Sequence, residues 1–517
     1  MRPGLRSLCL ALALFLTPAN AEAETESAQT VTLLFTNDIE SVYDPIEAYW
    51  LDDMERIGGL PQLATLINQI RGEKPDAFVF DAGDIFTGSL AKLTEGELAF
   101  ELMNVMDYDA MAIGNHEFEY GEDVLRWQMN RANFPVLGAN LFWKGTDHPF
   151  AQAHTVIERG GVRIGVIGIM GQDAATAIIP SYIDELDVIE PAIAVRRSVE
   201  ELRDEVDLIV LLTHQGKTAP MQTDAESDPR LNRGVASDVA LAGAVEGIDV
   251  IFGGHSDAGT EPPVVHPETG TIIMQTYGQG THLGMLELVI DPASDTIVEF
   301  DGRLIPVNSK ALEPDEPTAQ TIAQYRARFP ELFETVGRTE GIMFRRYIEE
   351  STIGNLFADI LAKRAGTPIG LLHGGSMRKD IPGGEVRLVD LLDAYPFVDE
   401  IIEVELSGAQ LREVIEQSLT LERGLLEVSG LSVRYNLDQP EGARLVSLLH
   451  KGKEVGADDV VRVAAAAFMA EGGDLYTSMA EGRMIASHGP VADAIVAHFR
   501  AHEVVDMPTL GRQVPVE

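Results

Sequence analysis

Five short apolar runs in this chain each end in side chains able to hold a metal ion or move a proton. Residues 31–35 run into Asn37, Asp38 and Glu40, residues 77–80 into Asp81, Gly83 and Asp84, and residues 110–113 into Gly114, Asn115, His116 and Glu117. Residues 207–212 lead to Thr213 and His214, and residues 249–252 to Gly253, Gly254, His255, Ser256 and Asp257. Such runs read as buried strands. In open α/β sheets ligands collect at the carboxyl ends of strands. A single Asp or His after a strand is usually a cap or turn residue; five such ends, all polar, describe one site built from loops.

Hard divalent ions prefer oxygen, and imidazole suits zinc, iron and manganese. The clusters offer Asp38, Glu40, Asp84, Asn115, His214, His255 and Asp257. A pair of ions about 3.5–4 Å apart needs a shared ligand, and Asp84, on a central strand end, is placed for it. Water held there is hydroxide near neutral pH and can attack phosphorus in line with the leaving oxygen. His116 suits another task, steadying the phosphoryl oxygens or protonating the leaving alkoxide, with Glu117 or Glu119 orienting its ring.

Alternating strands and helical patterns must position these residues. Helical spacing at 59–71 and 94–106 predicts helices between the strands, the mark of an α/β domain with a largely parallel sheet. Residues 272–276 and 286–290 read as paired strands that close this domain. The Pro-rich, acidic stretch 291–316 reads as the boundary, and 318–335 as a linker helix. A second domain follows, with a helix at 354–364, a strand at 369–372 and a strand–Gly–helix unit at 401–418. Residues 41–53, with Tyr43, Tyr49 and Trp50, form either a lid over the site or a surface loop.

The chain has 517 residues, more than one hydrophobic core usually serves. Arg2, Arg6 and the apolar run 8–16, followed by small residues up to Ala23, predict a cleaved export signal over 1–23 with no lasting membrane anchor. The only cysteine, Cys9, lies in that signal, so disulfides, thiolate ligands and a cysteine nucleophile are not expected in the mature chain. The formal charge of −43, from 39 basic and 82 acidic residues, argues against a nucleic-acid polymer as ligand. An anionic small substrate would need local positive charge, which bound ions would supply.

The clusters resemble those of the calcineurin-like metallophosphoesterases, and more narrowly the periplasmic 5′-nucleotidase/UDP-sugar hydrolase family, over essentially the whole mature chain. The resemblance implies a four-layer metallophosphoesterase β-sandwich flanked by helices over 28–300, a linker and helix over 301–335, and a smaller α/β substrate-specificity domain over 336–517. It implies one ion on Asp38, Glu40, Asp84 and Asp257, and a second on Asp84, Asn115, His214 and His255. His116 falls at the family's catalytic histidine and Glu119 at its acidic partner, usually Asp. The family has His where this chain has Glu40, and His or Gln where it has Asp257. Both changes harden the first position, away from zinc and toward manganese, magnesium or calcium.

In the second domain the resemblance rests on Gly374-Gly375-Ser376-Met377-Arg378, on Gly472-Gly473-Asp474-Leu475-Tyr476 and on Gly424-Leu425. It implies that Arg378 holds substrate, that Tyr476 stacks on a nucleobase, and that His373, Gly375, Leu425 and Asp474 belong to the same substrate-binding set. Leu425 stands where a second stacking aromatic is usual, and His373 where Asn is usual. Arg345, Arg346 and Tyr347 compete for a further arginine position, with Arg346 the best match. The implied activity is release of phosphate from 5′-nucleotides. The alternatives are nucleotide-sugar or dinucleotide pyrophosphate cleavage, cyclic phosphodiester cleavage, thiosulfate-ester hydrolysis, or a binding protein that has lost its ions.

Overall fold

The computed structural model describes residues 28–218 and 234–516, except 49, 292, 293 and 295; the expected export signal and Tyr49 lie outside them. The first domain stacks two six-stranded sheets face to face. One runs Thr296–Pro306, His282–Asp291, Gln29–Thr36, Phe78–Asp81, Ala110–Ala112 and Val136–Leu137 in spatial order. The other runs Val264–Val265, Ile272–Gln275, Val250–Gly254, Leu208–His214, Val162–Met170 and His154–Arg159. Apolar side chains alternate along the strands, so Leu33, Phe35, Phe80, Val210 and Phe252 meet between the sheets, with Phe35 stacked on Phe252 at 4.1 Å. Helices cover both outer faces: Leu60–Glu73 and Glu97–Val105 on the first sheet, Pro191–Leu202 and Ala236–Ala244 on the second. This is the expected four-layer arrangement.

The strands that carry the polar clusters are parallel neighbours. Gln29–Thr36 pairs with Phe78–Asp81, which pairs with Ala110–Ala112; Leu208–His214 pairs with Val250–Gly254. Their carboxyl ends therefore rise on one side of the sandwich.

Three expectations change. Ile272–Gln275 and His282–Asp291 do not pair; they belong to opposite sheets. The stretch read as the boundary holds the strand Thr296–Pro306, antiparallel to His282–Asp291. It is an edge strand with most of its side chains in solvent, so its charges did not read as a strand. The helix expected at 94–106 is two, Ser89–Thr94 and Glu97–Val105, broken where Glu95 and Gly96 take left-handed backbone.

The connecting helix is Glu316–Arg326, opened by Asp315, whose side chain accepts from Thr318 N. It stops short of Pro330 and packs on Glu97–Val105 and Leu60–Glu73. The second domain has a five-stranded sheet, ordered Glu427–Ser429, Ile369–Leu372, Val460–Ala466, Glu400–Ser407 and Arg483–Pro490, beside a four-stranded one. The helix Thr352–Ala365 lies across the first of these. Among the described residues no helix is long and apolar enough to cross a membrane.

Candidate active site

The loops after the strand ends are built around backbone that few side chains accept. Asp38, Glu40, Asp84, His255 and Asp257 all take positive φ, from 47° to 73°. Such conformations cost on the order of 1–3 kcal/mol each and persist where the surroundings enforce them. Glu117 is one such enforcer. Buried, it accepts from the backbone N–H groups of Asp84 (2.9 Å), Ile85 (2.8 Å) and Gly114 (2.6 Å), tying two strand ends together. At Gly114 a Cβ would stand 2.2 Å from Asp84 Oδ1, so glycine is required there.

Asp84 sits at the centre. Its Oδ1 accepts from His116 N at 2.8 Å, and its Oδ2 lies 3.0 Å from His214 Nε2. His214 Nδ1 is 2.8 Å from Ala82 O, which only accepts, so Nδ1 carries a proton and Nε2 faces the cleft floor. Asn115 Oδ1 is 3.2 Å from that same Nε2. Asp84, His214 and His255 each bring one donor atom within 4.8 Å of the others. Asp38 accepts from His255 N at 2.9 Å and from Asn37 Nδ2 at 2.7 Å. Asp257 lines the same cleft.

Electrostatics follow this packing. Burial works to raise the Asp84 pKa, but the imidazoles of His214 and His116 outweigh it and hold the carboxylate ionised. Burial pushes Asp38 up to about 6, with nearby Asp84 adding to the rise and His214 opposing it. Burial, then the charges of His214 and Arg423, keep His255 neutral. An ionised carboxylate, a neutral imidazole and His214, whose Nε2 would give up its proton to an ion, form a donor set that fits a divalent ion. Asp84, Asn115, His214 and His255 would hold one ion, and Asp38, Asp84 and Asp257 offer oxygens for another.

His116 forms the wall beside these groups. Its Nδ1 is 2.6 Å from Glu119 Oε1, and Thr87 Oγ1 donates to that oxygen at 2.6 Å. Burial would lower its pKa, but Asp84 and Glu119 outweigh that and lift it to about 10. Its Nε2 points to Asp84 Oδ2 at 3.8 Å and Glu40 Oε1 at 3.6 Å. Of the two acids that could orient the ring, Glu119 is in contact, while Glu117 holds the loops.

The second domain closes the opposite wall. Arg345, Arg378, Arg423, His373, Gly375 and Asp474 line the cleft. Arg378 pairs with Glu40. His373 Nε2 is 2.9 Å from Asp474 Oδ2 and Arg423 Nε 3.2 Å from Asp474 Oδ1. Three sequence-derived substrate residues lie elsewhere. Arg346 turns over the Phe344 ring, with its guanidinium 5.2 Å from the centroid. Leu425 and Tyr476 are buried in the second domain's core; left-handed backbone at Asp474 and Leu475 leaves Leu475 outward and Tyr476 inward. Tyr347, Phe397 and Phe468 are the aromatics this domain turns to the cleft. Arg423, missed in the sequence, stands beside the Gly424-Leu425 motif and reaches 3.3 Å from His255 Nε2. Tyr43 packs in the core, and none of the described residues 41–53 lines the cleft.

Comparisons with known proteins agree with this architecture. Residues 31–257 match the calcineurin-like phosphoesterase model, and residues 335–481 match the 5′-nucleotidase C-terminal domain. The chain is 28% identical over 462 residues to endonuclease YhcR of Bacillus subtilis, covering 85% of this chain but 37% of that longer protein. It is 27% identical over 517 residues to protein UshA of Yersinia enterocolitica, covering 90% of each. The 5′-nucleotidase precursor from Thermus thermophilus superposes with a TM-score of 0.82 at 25% identity, over 94% of this chain and 99% of that one. The chain belongs to the two-domain metallophosphoesterases, metal-dependent phosphoester hydrolases in which a calcineurin-like domain is followed by a 5′-nucleotidase C-terminal domain.

Proposed function

We propose that the chain is an exported hydrolase that releases phosphate from 5′-nucleotides or related small phosphoesters. The observation that carries this is His116, held by Glu119 and facing the Asp84–His214–His255 donor set, with Arg345 and Arg378 across the cleft. Divalent ions held by Asp38, Asp84, Asn115, His214, His255 and Asp257 would supply positive charge toward the phosphoryl oxygens and make a bound water more acidic. Manganese, zinc, magnesium and calcium are the ions to test, with the carboxylate-rich first position favouring a hard one.

The chain's own residues do the rest. Arg378 and Arg345 hold the anion against the cleft floor. His116, held by Glu119 and Thr87, donates the Nε2 proton to the leaving oxygen. The second domain covers the cleft and excludes bulk water. Export follows from the signal-like residues 1–23.

A second reading keeps the site and changes the bond. Burial of Leu425 and Tyr476 leaves the expected base-stacking positions unused. Nucleotide-sugar or dinucleotide pyrophosphate, cyclic phosphodiester and thiosulfate-ester cleavage therefore belong in the substrate panel. The test is phosphate release by the purified, manganese-loaded chain from nucleoside monophosphates and from that panel. Activity is expected on a monophosphate, and His116→Ala should cut it at least about a hundredfold. No turnover of any member, with one ion or none bound per chain, would favour a binding protein instead.

A further inference from the structure

Glu40 meets the second domain as well as the first. It is buried at the end of the loop that follows Gln29–Thr36, with φ 47°. Its carboxylate pairs with the guanidinium of Arg378, and its Oε1 also lies 3.6 Å from His116 Nε2. Arg378 follows the strand Ile369–Leu372 and a short turn, and its backbone N–H donates to Ala394 O at 3.0 Å. One carboxylate of the first domain thus stands between the imidazole of one wall and the guanidinium of the other.

A long arginine side chain loses rotamer freedom when a ligand fixes it. A partner that fixes it beforehand removes that cost from binding. Burial depresses the Arg378 pKa to about 10, which still leaves the guanidinium charged at neutral pH. A buried cation of this kind needs a counter-charge. Asp38, Asp84 and Asp257 already give the neighbouring ion position three carboxylates, whereas Glu40 is the acid that Arg378 touches.

We propose that Glu40 is a positioning residue for Arg378: it seats the second domain's cleft arginine beside His116, and serves the ions only secondarily. This rests on the reading of the cleft as a phosphoester site. The test compares Glu40→Gln, Glu40→Ala, Arg378→Ala and the Glu40→Ala/Arg378→Ala double variant, all manganese-loaded. Ions per chain are counted by mass spectrometry and inorganic phosphate binding is followed by calorimetry, besides steady-state kinetics. Glu40→Ala should raise KM about tenfold with kcat within about threefold, and keep the wild-type ion count. Glu40→Gln, which keeps an acceptor oxygen, should recover most of that KM and covers the case in which the alanine variant misfolds. Adding Glu40→Ala to Arg378→Ala should weaken phosphate binding no further.

Loss of one ion per chain in Glu40→Ala or Glu40→Gln would overturn the proposal, as would effects of the two sites that multiply. If the wild type hydrolyses no phosphoester yet phosphate binding shows the coupling, the hydrolase reading fails and this one stands. An active wild type whose Glu40 variants lose an ion gives the reverse.

Discussion

His116 is charged in this fold because two carboxylates outweigh its burial. Glu119 holds Nδ1 at 2.6 Å, Asp84 lies 3.8 Å from Nε2, and together they lift the pKa to about 10. A general acid must be protonated, so activity should fall as pH rises through the value this ring takes in the enzyme. Replacing Glu119 with Gln removes one negative charge and lowers that value. The basic limb of the kcat/KM profile should therefore move to lower pH, measured with a fixed-ionic-strength buffer series. His116→Ala should cut kcat by about 10²–10⁴-fold with ion binding unchanged.

At the scale of elements, the strand-end loops are held by backbone contacts that tolerate little change. Gly114→Ala places a methyl group against Asp84 Oδ1 and N, at 2.2 and 2.7 Å. The loops must shift, so manganese affinity should fall at least about tenfold by calorimetry. In the second domain Glu427 carries a different strain. Its Oε1 accepts from N and Oγ of Ser351, the residue that caps Thr352–Ala365, at 2.8 and 2.5 Å. Burial lifts its pKa to about 8, although the Ser351 hydrogen bonds oppose the rise. The unfolded carboxyl ionises near 4.5. Between those values the native state binds more protons, so stability falls as pH rises. Glu427→Gln should raise Tm by about 3–5 °C at pH 8 and leave it unchanged at pH 4.

These elements also mark what a reader of the sequence can and cannot see. Asp38, Asp84, His116, His214 and His255 are legible because a short apolar run followed by a polar residue encodes both the strand and its end. The four layers follow from the same alternation of runs. Thr296–Pro306 is hidden because an edge strand has little buried face to write as apolar residues. Tyr476 and Leu425 are hidden for a geometric reason: left-handed residues beside Tyr476 decide which way it turns, and nothing in its neighbours' chemistry announces that. Arg423 and the Glu40–Arg378 pair belong to the contact between domains, which no local pattern records.

Over the whole molecule one apolar cluster runs from Leu34, Phe86 and Phe100 of the first domain to Phe357, Tyr395 and Phe499 of the second. Polar contacts tie the same faces: Ser89 N donates to Asp393 Oδ1 at 3.1 Å, Lys92 Nζ to Phe397 O at 2.7 Å, and Asp474 N to Thr176 O at 2.6 Å. Such continuity predicts one calorimetric unfolding transition for both domains. Chelation should lower its midpoint as a unit, because an ion at about 100 times its Kd adds about 2.7 kcal/mol to the native state. Two separate transitions, only one of them sensitive to chelator, would contradict this.

The hydrogen bond from His255 N to Asp38 joins residues 217 positions apart. A ribosome that has delivered only the first two hundred residues of this chain has made no place for a cation, however well those residues have begun to fold. An ion held by the Asp84–His214–His255 set would therefore be a late marker, reporting that the first domain is close to finished.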